Sequence, residues 1–366
     1  MLAQQQLHKA AAERSANKSV KCVVWDLDNT IWDGVLLEDQ QVTLRTGVLE
    51  ALRELDRRGI LNSIASRNDA ELALAKLDEL GIKDYFLYPA IGWNPKSEGL
   101  RQIAASINIG VDTLAFVDDQ PFERAEVHHS LPQVRVFDAE DVEGLLHRPE
   151  LQPRFLTSES SMRRKLYLGD IAREQAQAEF VGTDAAFLAT LGMTFTIKSA
   201  EIEDLQRAEE LTQRTHQLNT TGYTYSFDEL DVLRQSDNHL LLVANLEDKF
   251  GPYGTIGLAL VELGAEVWTL KLLLMSCRVM SRGVGTVMLS HITMRAKDSG
   301  ARLRGLYIPN SINRMMEITY RLAGFGVVAR EGDLVVLEHD LSRIQPFPDY
   351  LRVVLTDPGP GLKTED

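Results

Sequence analysis

From residue 21 the chain alternates short apolar runs with longer amphipathic ones. KCVVW (21–25) has the continuous apolar character of a strand buried on both faces. GVLEALRELDRR (47–58) has helical spacing, ILNSIA (60–65) reads as a second strand, and NDAELALAKLDEL (68–80) as a second helix stopped by Gly81. A short strand over 85–88, a helix over 96–107 and the apolar strand TLAFV (113–117) continue the pattern. Such alternation predicts an α/β unit built on a parallel sheet with helices on both faces. Chemistry in these sheets gathers at the carboxyl ends of the strands, where Asp26, Ser66 and Asp118 fall.

The pattern breaks over HRPELQPRFLT (147–157), where two prolines mark a boundary. An amphipathic stretch over 159–180 leads into a second run of elements. Strands are expected over 193–198, 239–246, 255–263 and 267–275, followed by a helix over 284–299, a strand over 303–308 and a helix over 311–322. The expected organisation is one α/β unit over 18–150, a connecting helical segment over 151–180 and a second α/β unit over 181–345. The tail after 357 is polar and expected to fray.

Length supports the two-unit reading, since 366 residues exceed one typical core. No apolar run is long enough for a membrane span, and the first residues lack the apolar stretch of a signal peptide. Only two cysteines, Cys22 and Cys277, are present, far apart, which gives no disulfide framework and suits a reducing cytoplasm. The formal net charge of −14 argues against general nucleic-acid binding. Arg163, Arg164 and Lys165 form a local basic run, either a solvated helix face or a docking patch for an acidic partner.

Chemistry-bearing residues sit at successive strand ends of the first unit. Asp26 and Asp28 lie in DLDNT, Ser66 closes SIAS, Lys96 lies in NPKSEGL, and Asp118 and Asp119 follow FV. A carboxylate can accept a phosphoryl group as an aspartyl-phosphate, and a second one two residues on can protonate the leaving oxygen and later activate water. Repelling carboxylates need a cation, and Mg2+ takes a few carboxylates together with phosphate oxygens and waters. Ser66 and Lys96 would hold the phosphate and neutralise charge in the transition state. Each feature alone is common; their order along the chain is not.

This constellation resembles the haloacid dehalogenase (HAD) superfamily of aspartate-based phosphotransferases over about 18–148. The resemblance implies Asp26 as nucleophile and Asp28 as acid/base. It also implies Asp26, the backbone carbonyl of Asp28 and Asp118 on Mg2+, and Thr30, Ser66, Arg67, Asn68 and Lys96 around the substrate. The stretch between Asp33 and Gly47 is too short for a large cap domain.

In the second half, SCRVMSRGVGTVML (276–289) and NRMMEITYRLAGF (313–325) resemble the GNAT acyltransferase fold, whose turn-to-helix segment binds a pyrophosphate. Met280 stands where that family has Arg or Gln, which favours a pantetheine arm without the nucleotide. Cys277 is either a small buried hydrophobe or a nucleophile activated by Arg278, Arg282 and the following helix start. His216 in RTHQLNTTGYTYS is a candidate base, or a structural histidine. EDKFGPYGTIG (247–257) is a glycine-rich connection that can admit a close backbone or ligand.

HAD followed by a GNAT-like unit resembles the FkbH-like family over nearly the whole chain, through VVWDLDNTIWDGVLLED, FVDDQPFER, RTHQLNTTG, FGPYGTIG and SCRVMSRGVG. That resemblance implies a cytoplasmic enzyme that uses 1,3-bisphosphoglycerate, removes phosphate and places a glyceryl unit on an acyl carrier protein for polyketide (antibiotic) biosynthesis. Gln217 and Asn219 match the family and are expected on substrate hydroxyls; at 216 the family more often carries asparagine. A plain Mg2+ phosphatase of small phosphoesters, with the second unit as a binding domain, is the alternative.

Overall fold

The computed structural model of the chain describes residues 20–39, 41–153 and 156–356. It divides into two compact units, Met1–Leu168 and Gly169–Asp366. The polar tail expected to fray lies outside the described residues, as does part of the break over 147–157. Both units are mixed α/β, one on a parallel sheet and the other on a separate, larger sheet.

The first unit contains β1 (Cys22–Trp25), a ribbon of β2 (Trp32–Asp33) and β3 (Thr43–Leu44), then β4 (Leu61–Ser66), β5 (Ala90–Ile91), β6 (Leu114–Asp118) and β7 (Arg135–Asp138). Its main sheet has the order β5-β4-β1-β6-β7, parallel throughout. Every residue of β1, β4 and β6 is buried, as a strand covered on both faces requires. Helices Val48–Arg57, Ala70–Glu79, Lys96–Ile107 and Pro121–Ser130 connect them. The Asp69 side chain accepts from Leu72 N and starts the second of these, so the chain turns immediately beyond the end of β4.

Two expectations shift here. The strand expected over 85–88 is instead a 3-10 turn at Lys83–Tyr85, and Tyr88 adopts a positive φ of 48° that interrupts extended backbone. Within that stretch only Phe86 pairs with β4, as a single parallel bridge to Asn62, and continuous pairing follows at Ala90–Ile91. The basic run is also largely engaged within its own unit. Arg163 is buried and donates to Gly59 O at 2.6 Å, while Arg164 forks onto Asp56 and lies over the Tyr85 ring. Only Lys165 of the three is exposed, so the trio is not a basic docking face.

The second unit contains β8 (Met193–Ser199), β9 (His239–Asp248), β10 (Gly251–Leu263), β11 (Val267–Met275), β12 (Arg302–Tyr307), β13 (Phe325–Glu331), β14 (Leu334–His339) and β15 (Leu351–Leu355). The sheet order is β13-β14-β12-β11-β10-β9-β8-β15, antiparallel except for β11 with β12 and β8 with β15. Parallel pairing of β11 with β12 covers only Val267–Leu270 against Arg302–Gly305. Beyond it the loop segment around Thr220 joins the two strands: Thr220 N donates to Leu273 O (3.0 Å), Ile308 N donates to Thr220 O (2.9 Å), and the Thr220 hydroxyl accepts from Leu273 N (3.0 Å). This wedge brings the loop after helix Leu205–Arg214 to the end of β11. Among the described residues no helix is long and apolar enough to cross a membrane.

Candidate active site

The end of β1 is tied to β6 by Asp26 N donating to Val117 O (2.9 Å). Lys96 heads its helix and places Nζ 2.8 Å from Asp26 Oδ1 and 2.5 Å from Asp118 Oδ2. All three residues are buried. The Ser66 side chain hydrogen-bonds to Asp26 from the end of β4. Thr30 accepts from Asp119 N (3.2 Å) and fixes the loop after β6, while Gln120 N donates to Asp118 Oδ1 (2.7 Å). Asp26, Asp118, Thr30, Ser66 and Lys96 are thus linked around the strand ends.

Carboxylate oxygens of Asp26, Asp118 and Asp119 lie within 4.8 Å of one another. Asp119 Oδ1 is buried with no hydrogen-bond partner. Burial pushes Asp26 up to about 6; Lys96 opposes that shift and Asp118 adds to it. Burial also raises Asp118 against the pull of Lys96, and raises Asp119 with help from Asp26. For Lys96, burial works against the charge, but Asp26 and Asp118 outweigh it and its pKa rises. Three carboxylates around one ammonium leave a deficit of positive charge. An all-oxygen donor set with an orphaned carboxylate oxygen fits a hard divalent cation such as Mg2+. Asp119 joins the set expected from the sequence; its signal was the doubled aspartate after an apolar strand.

Asp28 stands next to this cluster with its carboxylate otherwise engaged. Oδ1 accepts from Trp32 Nε1 (2.8 Å) and Leu36 N (3.0 Å), and Oδ2 accepts from Asn68 Nδ2 (3.0 Å). Asn68 therefore orients Asp28. Arg67 sits 3.1 Å from Glu123 Oε1 with its side chain partly exposed.

In the second unit, Cys277 opens a 3-10 turn, Cys277–Val279, directly after β11, and it is only partly buried. Met275 N donates to Leu218 O (2.9 Å), and Asn219 bridges antiparallel to Leu274. The ladder ends there, because β11 stops at Met275 and Cys277 already belongs to the 3-10 turn. His216 and Gln217 are exposed. Asn219 is fully buried and organises its own loop, accepting from Thr221 N and Gly222 N and donating to Tyr223 O.

Arg278 donates to Tyr253 O and faces Asp170 at 4.0 Å, so it braces the Cys277 turn. Asp170 in turn meets Arg173, which forks onto Asp248 and stacks on the Tyr253 ring. No local pattern signals that bracing, because its partners are scattered over more than a hundred positions. Arg282 is buried with Nε unpartnered. Gly283 follows at φ 74° and opens helix Val284–Asp298 without a side-chain cap, leaving its first N–H groups to receive an anion. Beside it runs a solvent-open groove of about 450 Å³, lined by Leu218, Met275, Met280, Gly285, Met315 and Thr319 among others.

No family model matches the chain, and no curated protein matches it. Among solved structures, the N-terminal part of a Bacteroides fragilis protein containing a phosphatase domain, complexed with Mg, is 30% identical over 36% of this chain and 40% of its own, with a TM-score of 0.33. The match therefore spans less than half of that structure. A ribosomal-protein-alanine N-acetyltransferase from Escherichia coli is 18% identical over 41% of this chain and 96% of its own (TM-score 0.33). PaiA N-acetyltransferase from Thermoplasma acidophilum, in complex with coenzyme A, is 20% identical over 40% of this chain and 98% of its own (TM-score 0.32).

Proposed function

We propose that the chain is a Mg2+-dependent phosphatase joined to an acyltransferase unit, and that it converts 1,3-bisphosphoglycerate into a glyceryl thioester for an acyl carrier protein. The observation that carries the phosphatase half is the buried cluster of Asp26, Asp118, Asp119 and Lys96. The partly buried Cys277 just after β11, followed by the uncapped start of helix Val284–Asp298, supports the transfer half.

In the first unit, the Asp26 carboxylate attacks phosphorus, forming an aspartyl-phosphate as the ester P–O bond breaks. Asp28 gives its proton to the departing alkoxide, then takes one from the water that hydrolyses the aspartyl-phosphate. For that role Asp28 must exchange part of its hold on Trp32, Leu36 and Asn68 for contact with the leaving group. Asp26, Asp118 and Asp119 would hold Mg2+, which supplies charge neutralisation to the phosphate oxygens. Lys96 and Ser66 keep Asp26 oriented.

In the second unit, the Cys277 thiolate attacks the acyl carbonyl. The C–S bond forms as the C–O bond to the acyl phosphate breaks, and inorganic phosphate leaves. His216 takes the thiol proton. The pantetheine thiol of the carrier then attacks the thioester and Cys277 is regenerated. The apolar groove suits a pantetheine arm, and the uncapped helix start beside Arg282 suits its phosphate.

Intact mass of the protein after incubation with 1,3-bisphosphoglycerate and Mg2+ tests the covalent step. A glyceryl adduct on the native chain and none on Cys277→Ala is the expected result; an adduct on the variant overturns it. A plain phosphatase of small phosphoesters would release phosphate and form no adduct on either.

A further inference from the structure

A second concavity in the first unit adjoins the Asp26 cluster. It has a volume of about 830 Å³, open to solvent, and shares Ser66 and Lys96 with the cluster. One wall is the segment from Pro89 to Gly92, which contains β5. The floor is close-packed: a Cβ on Gly99 would lie 3.2 Å from Ala90 Cβ and 3.5 Å from Ala65 Cβ. The outer rim carries the exposed side chains of Asn94, Glu98 and Gln102.

Charge decides what such a space accepts. Among the described residues, Lys96 and Glu98 are the only charged ones lining it, and the Lys96 ammonium is already shared between Asp26 and Asp118. These lining residues supply no guanidinium or second ammonium for an anion. Glu98 on the rim repels one, whereas the amides of Asn94 and Gln102 donate and accept hydrogen bonds as hydroxyl groups require.

We infer that this concavity holds the organic part of the phosphoester and selects a neutral, hydroxyl-bearing chain over one ending in a free carboxylate. The inference rests on the phosphatase reading of Asp26 and names its substrate class. It also places the step: an acyl-transfer reaction that masks the carboxyl group as an ester or thioester comes before phosphate removal.

The test uses the full chain with Mg2+, comparing glycerol 3-phosphate with 3-phosphoglycerate, which differ by a hydroxymethyl group against a carboxylate. The expected kcat/KM favours glycerol 3-phosphate by about 10-fold or more. Glu98→Gln should narrow that gap by raising the carboxylate substrate alone. Gln102→Ala should lower kcat/KM for glycerol 3-phosphate more than for para-nitrophenyl phosphate, whose organic part has no hydroxyl group for the amide to meet. Equal or better hydrolysis of 3-phosphoglycerate, or a gap that Glu98→Gln leaves untouched, overturns the inference while the phosphatase reading stands. Hydrolysis of none of the three esters overturns that reading and the inference with it.

Discussion

The amide of Met275 donates to the carbonyl of Leu218 at 2.9 Å, and this one ladder bond aligns two loops far apart in sequence. With the bridge between Asn219 and Leu274 it holds the loop that carries His216 to the end of β11, whose following turn carries Cys277. A histidine that takes the proton of a thiol raises its thiolate content. His216→Ala should therefore slow alkylation of Cys277 by iodoacetamide near pH 7 by about 10-fold. His216→Asn should behave as the alanine variant does, since an amide takes no proton. An unchanged alkylation rate in both contradicts that role for His216.

Among the described residues, the Lys96 ammonium is the only positive group within hydrogen-bonding distance of the two buried carboxylates of Asp26 and Asp118. Removing one partner of a buried ion pair leaves the other uncompensated, typically at a cost of about 3–5 kcal/mol. Lys96→Met should lose stability on that scale in metal-free denaturant unfolding, and Asp26→Asn in the same chain should recover part of it. Full stability of Lys96→Met without metal would show that the carboxylates are neutral in the folded state.

Removal of the nucleophile and removal of a ligand should separate cleanly. Asp26→Asn should abolish phosphate release from a simple phosphate ester such as glycerol 3-phosphate even at saturating Mg2+, because an amide forms no aspartyl-phosphate. Asp119→Asn should retain the nucleophile and raise the Mg2+ concentration for half-maximal activity by about 10-fold. Titration calorimetry with Mg2+ alone checks the second point without turnover. Equal Mg2+ affinity in native and Asp119→Asn protein would remove Asp119 from the ligand set.

Acid sensitivity of the second unit should trace to His291. It is buried, its Nε2 has no hydrogen-bond partner, and burial, with Arg295 nearby, lowers its pKa to about 4. Above pH 6.5 the ring is neutral in both folded and unfolded chains and has no effect on stability. Between 6.5 and 4 only the unfolded chain takes up the proton, so stability falls as pH falls, by about 3 kcal/mol in total for this group. His291→Gln should flatten this limb of the unfolding-midpoint profile relative to the native chain. Parallel profiles would assign the acid sensitivity elsewhere.

Most of the parallel sheet was legible because its strands are short apolar runs closed by chemistry-bearing residues. Asp26, Ser66, Lys96 and Asp118 announced themselves by residue type at strand ends, and the structure gathers them. The short strand Arg135–Asp138 and helix Pro121–Ser130 were not foreseen: one is four half-buried residues, the other mixes Phe, Glu, Arg and His without a clean apolar stripe. The second unit yielded its central strands but not β14 or the edge strands β13 and β15, of which β13 is mostly exposed and so lacks alternation. Asn219 had suggested a substrate contact; its burial within its own loop makes it a scaffold for the neighbours that face outward. The role of Thr220 as a wedge between β11 and β12 has no local signature, since it depends on strands more than fifty residues away.

In the proposed function, phosphate removal and acyl transfer serve one product on one carrier. Mass spectrometry of a candidate holo-carrier incubated with this protein, 1,3-bisphosphoglycerate and Mg2+ is the decisive measurement. A glyceryl mass shift on the pantetheine arm, free of phosphate, is expected, and it should disappear with Cys277→Ala. With Asp26→Asn no phosphate-free glyceryl shift is expected. Phosphate release by the native chain with no mass shift on any holo-carrier would contradict the proposed function and leave the phosphatase alone.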